Sequence, residues 1–228
     1  MGGAMGGFLG PIAAVLWKDV LLELRTKDTV VSVLVFALLT IVIFNFAIEP
    51  TPVMVAVVAP GILWVAFTFG GVLGLTRSFA LEKDGGNLHG LMLAPVSRDT
   101  IFFGKMLGNF VFMVVVEVIA FPAFAVLFNL SLAMPGLIPV ALLATLGIVT
   151  VGTVFSAMAV NTRSREVMLP VLFLPAVLPV IVAAVEASGI VIGGEGGGDL
   201  LKWLPLLAVF DAVFLVVCPV AFTLVLEE

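Results

Sequence analysis

Charge is scarce in this chain of 228 residues: Asp, Glu, Lys and Arg together make up 11%. A water-soluble domain carries roughly a quarter, so this composition cannot clothe a soluble fold. Cysteine occurs once, as Cys218 inside the last apolar stretch, which excludes an internal disulfide and a cysteine-based metal site. It reads as a small packing residue. Histidine also occurs once, as His89, with no second ligand near it in sequence, and it reads as a loop residue and not as a haem or metal ligand. Trp17, Trp64 and Trp203 are scattered and form no aromatic haem platform. The phosphate-cradling run G-x-x-x-x-G-K-[ST] is missing, since Gly104-Lys105 is followed by Met106 and lacks the earlier glycine. A paired His/Glu motif, a nucleophile elbow and a catalytic Cys/His set are missing too. The chain is therefore expected not to be an enzyme by itself, to bind no cofactor or metal of its own, and to need a separate polypeptide for any ATP-driven work.

What is abundant is apolar surface, with 62% hydrophobic residues and a mean hydropathy of +1.33. A hydrocarbon core about 30 Å thick takes roughly 20 residues per helical span, and the sequence offers six such windows. They are predicted at 29–48, 53–76, 102–128, 137–160 and 167–185, with the last running from beside Lys202-Trp203 to before Glu227-Glu228. The expected fold class is all-α, a polytopic bundle of six transmembrane helices. Glu49-Pro50-Thr51-Pro52 enforces a tight exit from the first span, and Gly70-Gly71 permits close helix approach in the second. Ser97 or Asp99 is placed to cap the third. Pro170, Pro175 and Pro179 deprive the fifth of backbone donors, which predicts a bent or interrupted helix. The glycine-rich turn before Asp199 reads as a flexible loop, with room for a short helical piece.

Residues 1–28 form a distinct lead-in. MGGAMGGFLG lacks the basic start of a signal peptide, so no cleavage is expected and the first span serves as the insertion signal. From Ile12 to Lys27 the chain is amphipathic: Trp17, Val20, Leu21 and Leu24 fall on one helical stripe, with Lys18, Asp19, Glu23, Arg25 and Lys27 outside it. Such a helix lies in the membrane interface with Trp17 at headgroup level; the competing reading is a solvated lead-in. The net charge of −5 carries little information here, because Lys and Arg placement orients membrane proteins. With the N-terminus inside, Lys18, Arg25, Lys27, Arg77, Lys83, Arg98, Lys105, Arg163 and Arg165 are cytoplasmic and only Lys202 faces out. Both termini are then cytoplasmic, and residues 29–228 form the transmembrane domain.

The one long polar interruption, 77–105, falls on the cytoplasmic side. Glu82, Lys83 and Asp84 followed by Leu88, Leu91, Met92 and Leu93 suit either a short helix docking in a groove of a soluble subunit or a segment resting on lipid. Two carboxylates, Glu117 and Asp211, fall within spans, where a charge costs at least about 2.5 kcal/mol. They are expected to face the bundle interior, as part of a hydrophilic pathway or latch, or as hydrogen-bonded fasteners between helices.

APGILWVA in the second span, LEKDGGNLHGLMLAP after it and LPVLFLPAVLP opening the fifth, taken in that order, resemble the CcmB family, haem exporter protein B of cytochrome c maturation. The resemblance runs from about Ile12 to Thr223. It implies the permease half of a type-2-exporter-like ABC complex in the bacterial inner membrane, present in two copies. The implied partners are a CcmA-like ATPase that carries the ATP, CcmC-like and CcmD-like membrane subunits, and the haem chaperone CcmE, with haem handled by the complex and no nucleic acid involved. On this resemblance residues 1–28 contain the elbow helix, and Glu82, Lys83, Asp84, Leu88, Leu91 and Met92 lie where the ATPase engages. The family view couples ATP hydrolysis to haem delivery or to release of the haem-loaded chaperone. Two other functions remain open at the level of sequence: export of a lipid or other hydrophobic substrate, and a non-transporting membrane scaffold.

Overall fold

A computed structural model describes residues 3–48, 51–84, 96–160, 165–194 and 200–225. Among these the chain forms seven α-helices and no strand: α1 (Gly3–Thr26), α2 (Asp28–Ala47), α3 (Pro52–Asp84), α4 (Arg98–Leu127), α5 (Leu137–Val160), α6 (Arg165–Gly193) and α7 (Leu200–Val225). The last six are long and apolar enough to cross a membrane. Successive spans alternate in direction, so one end of the bundle carries α1, the end of α3 and the start of α4, together with most of the basic residues. This is called the basic end below; Lys202 lies at the far end.

α3 and α5 are buried along most of their length and form the centre, whereas α2 and α7 keep most of their surface turned outward. α5 packs chiefly on α6 and α7, α3 on α6 and α2, and α1 on α4. The centre of α5 is built from small and hydroxyl residues, among them Ala144, Thr145, Gly147, Thr150, Gly152, Thr153, Ser156 and Ala157, all buried. In a bilayer such residues let backbones approach and hold them by dispersion and hydrogen bonds, because lipid removes the hydrophobic drive between helices. Gly152 faces the Leu75 and Phe173 side chains with no room for a Cβ, and at Gly71 a Cβ would lie 3.4 Å from Met113 Cε. Thr153 Oγ1 donates to its own helix at Val149 O, 2.7 Å away, and Ser156 Oγ donates across to Leu75 O at 2.5 Å. Trp64, 1% exposed, gives its indole N–H to Ser188 Oγ at 2.9 Å and so joins α3 to α6.

Three element boundaries differ from the sequence reading. Helix α3 continues to Asp84 instead of ending near Thr76. Its 33 residues rise about 50 Å at 1.5 Å each, well beyond the hydrocarbon thickness. Arg77 marks the exit from the apolar zone but not the end of the helix, since Phe79 and Ala80 remain buried against the bundle. Helix α6 runs unbroken through Pro170, Pro175 and Pro179 to Gly193, with no interruption at its prolines. Packing of Leu169, Phe173, Val177 and Val180, each at most 1% exposed, holds it where propensity alone would break it. Helix α1 begins at Gly3, earlier than the amphipathic pattern.

Candidate functional site

The site grows out of the two helical stems at the basic end, the last turns of α3 and the first turns of α4. Each stem carries cations whose side chains reach other helices. Lys83 Nζ donates to the carbonyl of Val160, the last residue of α5, at 2.8 Å. Arg98 Nη1 donates to the carbonyl of Thr223 in the last turn of α7 at 3.1 Å. Terminal carbonyls lack helical donors and carry the negative end of the dipole, so a cation there satisfies both deficits. Asp99 Oδ1 also accepts from Thr223 Oγ1 at 3.3 Å, which makes the α4–α7 contact two-sided.

Lys105 ties the stems to α1. The residue is 1% exposed, and its ammonium lies 3.1 Å from Asp19 Oδ2 and 3.3 Å from Asp19 Oδ1. The Ser78 carbonyl is 3.5 Å away, and the Phe79 ring centroid 5.3 Å. A buried cation needs such company: a carboxylate for its charge, a carbonyl for a further N–H, and a ring face for what remains. The Gly104–Gly108 pair lets α1 come close enough. At Gly104 a Cβ would lie 2.6 Å from Val15 Cβ, and at Gly108 3.3 Å from Asp19 Cβ. Asp19 also meets Lys18 Nζ at 3.3 Å. From α1 the chain of contacts continues to α2, where Glu23 Oε1 accepts the Val30 N–H at 2.8 Å and caps the helix start.

The residues singled out in sequence fall in three places. Glu82, Lys83 and Asp84 occupy the last turn of α3, whereas Leu88, Leu91 and Met92, and His89 with them, lie outside the described residues. Ser97 stands at the N-cap of α4 without a side-chain bond to the backbone; its hydroxyl pairs instead with Thr100 Oγ1 at 2.7 Å. Glu117 and Asp211 are remote from the stems and both buried. Thr145 Oγ1 donates to Glu117 Oε1, joining α5 to α4. Asp211 has no hydrogen-bond partner within the described residues, and its Oδ1 would be 2.7 Å from a Cβ at Gly147. On α1, Ile12 and Val15 are buried toward the bundle with Asp19 beside them, while Trp17 and Leu24 of the apolar stripe are 63% and 62% exposed. The helix thus offers one apolar edge to protein and another outward.

Sequence reasoning placed Asp19 and Glu23 on the polar side of the lead-in helix and Lys105 among the cytoplasmic cations, but gave neither them nor Gly104 a part in the site. The available signal was the small-xxx-small spacing of Gly104 and Gly108 with a cation between them, one turn inside the span.

Six apolar spans with small-residue packing at their centre, and cationic ties from one helical hairpin to its neighbours, define a multi-pass helical membrane protein. The ties join the stems to α5, α7 and α1. The profile of the CcmB protein family matches residues 11–228, and the chain belongs to that family. It is 29% identical over 209 residues to heme exporter protein B of Paracoccus denitrificans, covering 91% of this chain and 94% of the relative. With heme exporter protein B of Rhodobacter capsulatus it shares 30% over 174 residues, 76% of this chain and 80% of the relative. With that of Bradyrhizobium diazoefficiens it shares 26% over 184 residues, 80% and 83% respectively.

Proposed function

We propose that this chain is the permease subunit of an ABC complex of cytochrome c maturation. A separate CcmA-like ATPase would press on the 77–105 segment, and the bundle would carry that motion to haem delivery or to release of the haem-loaded chaperone. The termini and the basic end are cytoplasmic in this reading, on the nine-to-one distribution of Lys and Arg. Two copies match two ATPase subunits, with CcmC-like and CcmD-like membrane partners beside them. The observation that carries the reading, beside family membership, is the set of ties on the stems: Lys83 to α5, Arg98 to α7 and Lys105 to α1. A push on the segment between the stems reaches three other helices without passing through lipid.

A second reading, a permease exporting a lipid or other hydrophobic substrate, calls for an open lateral groove. A groove exists between α1, α2 and α4, but along α4 it extends only from Lys105 to Val115, about 15 Å at helical rise. That is half a bilayer and not a pathway across one, so the first reading is the better supported.

The test is co-purification in mild detergent with a co-expressed ATPase and the two membrane partners, for the native chain and for Glu82→Lys/Asp84→Lys. Capture by the native chain and loss in the double variant is the expected result. A native chain that captures no ATPase overturns the proposal, and capture unchanged in the variant removes Glu82 and Asp84 from the contact.

A further inference from the structure

We infer that the outward stripe of α6 seats a membrane-spanning helix of a different polypeptide, one that brings a cation and hydrogen-bond donors. This rests on the chain working as one subunit of a membrane complex, as proposed above. Helix α6 packs on α5, α3 and α7 through Leu169, Phe173, Val177, Val180 and Ala184, all buried. On its other side Val171, Pro175, Leu178, Val182 and Glu186 are exposed and follow one another at helical spacing along the span.

Two features make this stripe a poor surface for lipid. Proline has no N–H, so Pro175 and Pro179, both exposed, leave the carbonyls of Val171 and Pro175 without their regular helical donor. In hydrocarbon no water takes its place. Glu186 is exposed on the same stripe and makes no hydrogen bond or ion pair among the described residues, Lys202 included. Its depth follows from a contact at the far end, where a Cβ on Gly136, just before α5, would lie 3.1 Å from Val191 Cγ2. Glu186 is about 7.5 Å deeper than Val191 at helical rise. Side chains on a helix lean toward its N-terminus, which for α6 is the basic end, so the carboxylate points further into the hydrocarbon and away from the nearer headgroups. The outward face of α2 is the contrast: Val35, Leu39, Ile43 and Phe46 are exposed on a helix without proline and can meet lipid as they are.

Whatever covers α6 must supply what the stripe lacks. A second copy of this chain cannot, because a two-fold axis along the membrane normal would set the stripe against itself, Glu186 facing Glu186 and carbonyl facing carbonyl. A helix of another sequence, with Lys, Arg or His at the level of Glu186 and hydroxyl or amide donors about three to four turns below it, answers all three acceptors.

The test uses the assembled complex, this chain with its ATPase and membrane partners, carrying photo-reactive benzoylphenylalanine at Val182 or, as the control, at Leu39. The Val182 position should cross-link to a spanning segment of a different polypeptide that carries a basic residue, and the Leu39 position to no protein. Glu186→Leu should lower the Val182 cross-link about tenfold, the worth of a hydrogen bond to a charged group. In the chain alone the same variant should keep or raise the thermal midpoint, since it takes a carboxylate off a lipid-facing surface. A midpoint that falls assigns Glu186 to the chain's own fold and overturns the inference. So does a Val182 link to a second copy, a linked segment without a donor, equal linking from Leu39, or an unchanged yield in Glu186→Leu. An intact complex with no protein linked at Val182 overturns this inference alone, whereas a chain that assembles with no other polypeptide takes the permease reading down with it.

Discussion

The basic end and the middle of the bundle are held by different kinds of contact. At the basic end, long charged side chains reach from one helix to a carbonyl or carboxylate of another: Lys83 to Val160, Arg98 to Thr223, Lys105 to Asp19. In the middle, short groups lock backbones at close range, as with Ser156 on Leu75 O, Trp64 on Ser188 and Asn109 Nδ2 on Thr153 Oγ1 at 3.2 Å. The less buried ties, Lys83 and Arg98, are long side chains that can follow a displaced partner, whereas close packing, in which the buried Lys105 on its Gly104–Gly108 seat takes part, leaves no such slack. An applied force would enter where the ties are and travel through the part that does not deform.

Breaking the comparison at its strongest point should cost most. Lys105→Met takes from Asp19 its buried partner and leaves it only Lys18, on the exposed side, and loss of one partner from a buried pair costs about 3 kcal/mol. Thermal unfolding in mild detergent should show the drop, and Asp19→Leu added to Lys105→Met should recover part of it. Recovery absent from the double variant would mean that the lysine acts through its packing and not through the pair. Next comes Gly152→Val, which forces side-chain bulk against Leu75 and Phe173 in the rigid middle; overpacking of this kind costs about 2 kcal/mol. A smaller effect, about 1 kcal/mol, is expected for Ser188→Ala, which removes one buried hydrogen bond and leaves the Trp64 indole in place. Smallest in stability is Lys83→Met, about 0.5 kcal/mol, because it removes a single cation from a helix end. If Lys83→Met unfolds the chain as readily as Gly152→Val, the distinction between flexible ties and rigid middle is wrong.

Much of the fold was legible because lipid imposes few choices. Windows of roughly 20 apolar residues must be helices, and the fourth, 137–160, matches α5 at both ends. Boundaries failed where burial outweighed a local signal: Arg77 looked like a terminus, yet Phe79 and Ala80 carry the helix onward, and three prolines in α6 are absorbed by packing. The site was legible only in part. Lys83 sits on a stem, but its partner Val160 is 77 positions away, and no local pattern points from one to the other. Lys105 and Asp19 are 86 positions apart. Their pairing depends on α1 folding back onto Gly104 and Gly108, a tertiary event that helical periodicity cannot express.

The most direct test of the account uses the assembled complex with Lys83→Met/Arg98→Met, measuring ATP hydrolysis and release of the haem-loaded chaperone side by side. Two helix-end ties of about 0.5–1 kcal/mol each amount to about tenfold together. Hydrolysis should persist while release per ATP falls by about that factor. Release per ATP unchanged, with both ties removed and the complex intact, would contradict the claim that the stems drive the bundle.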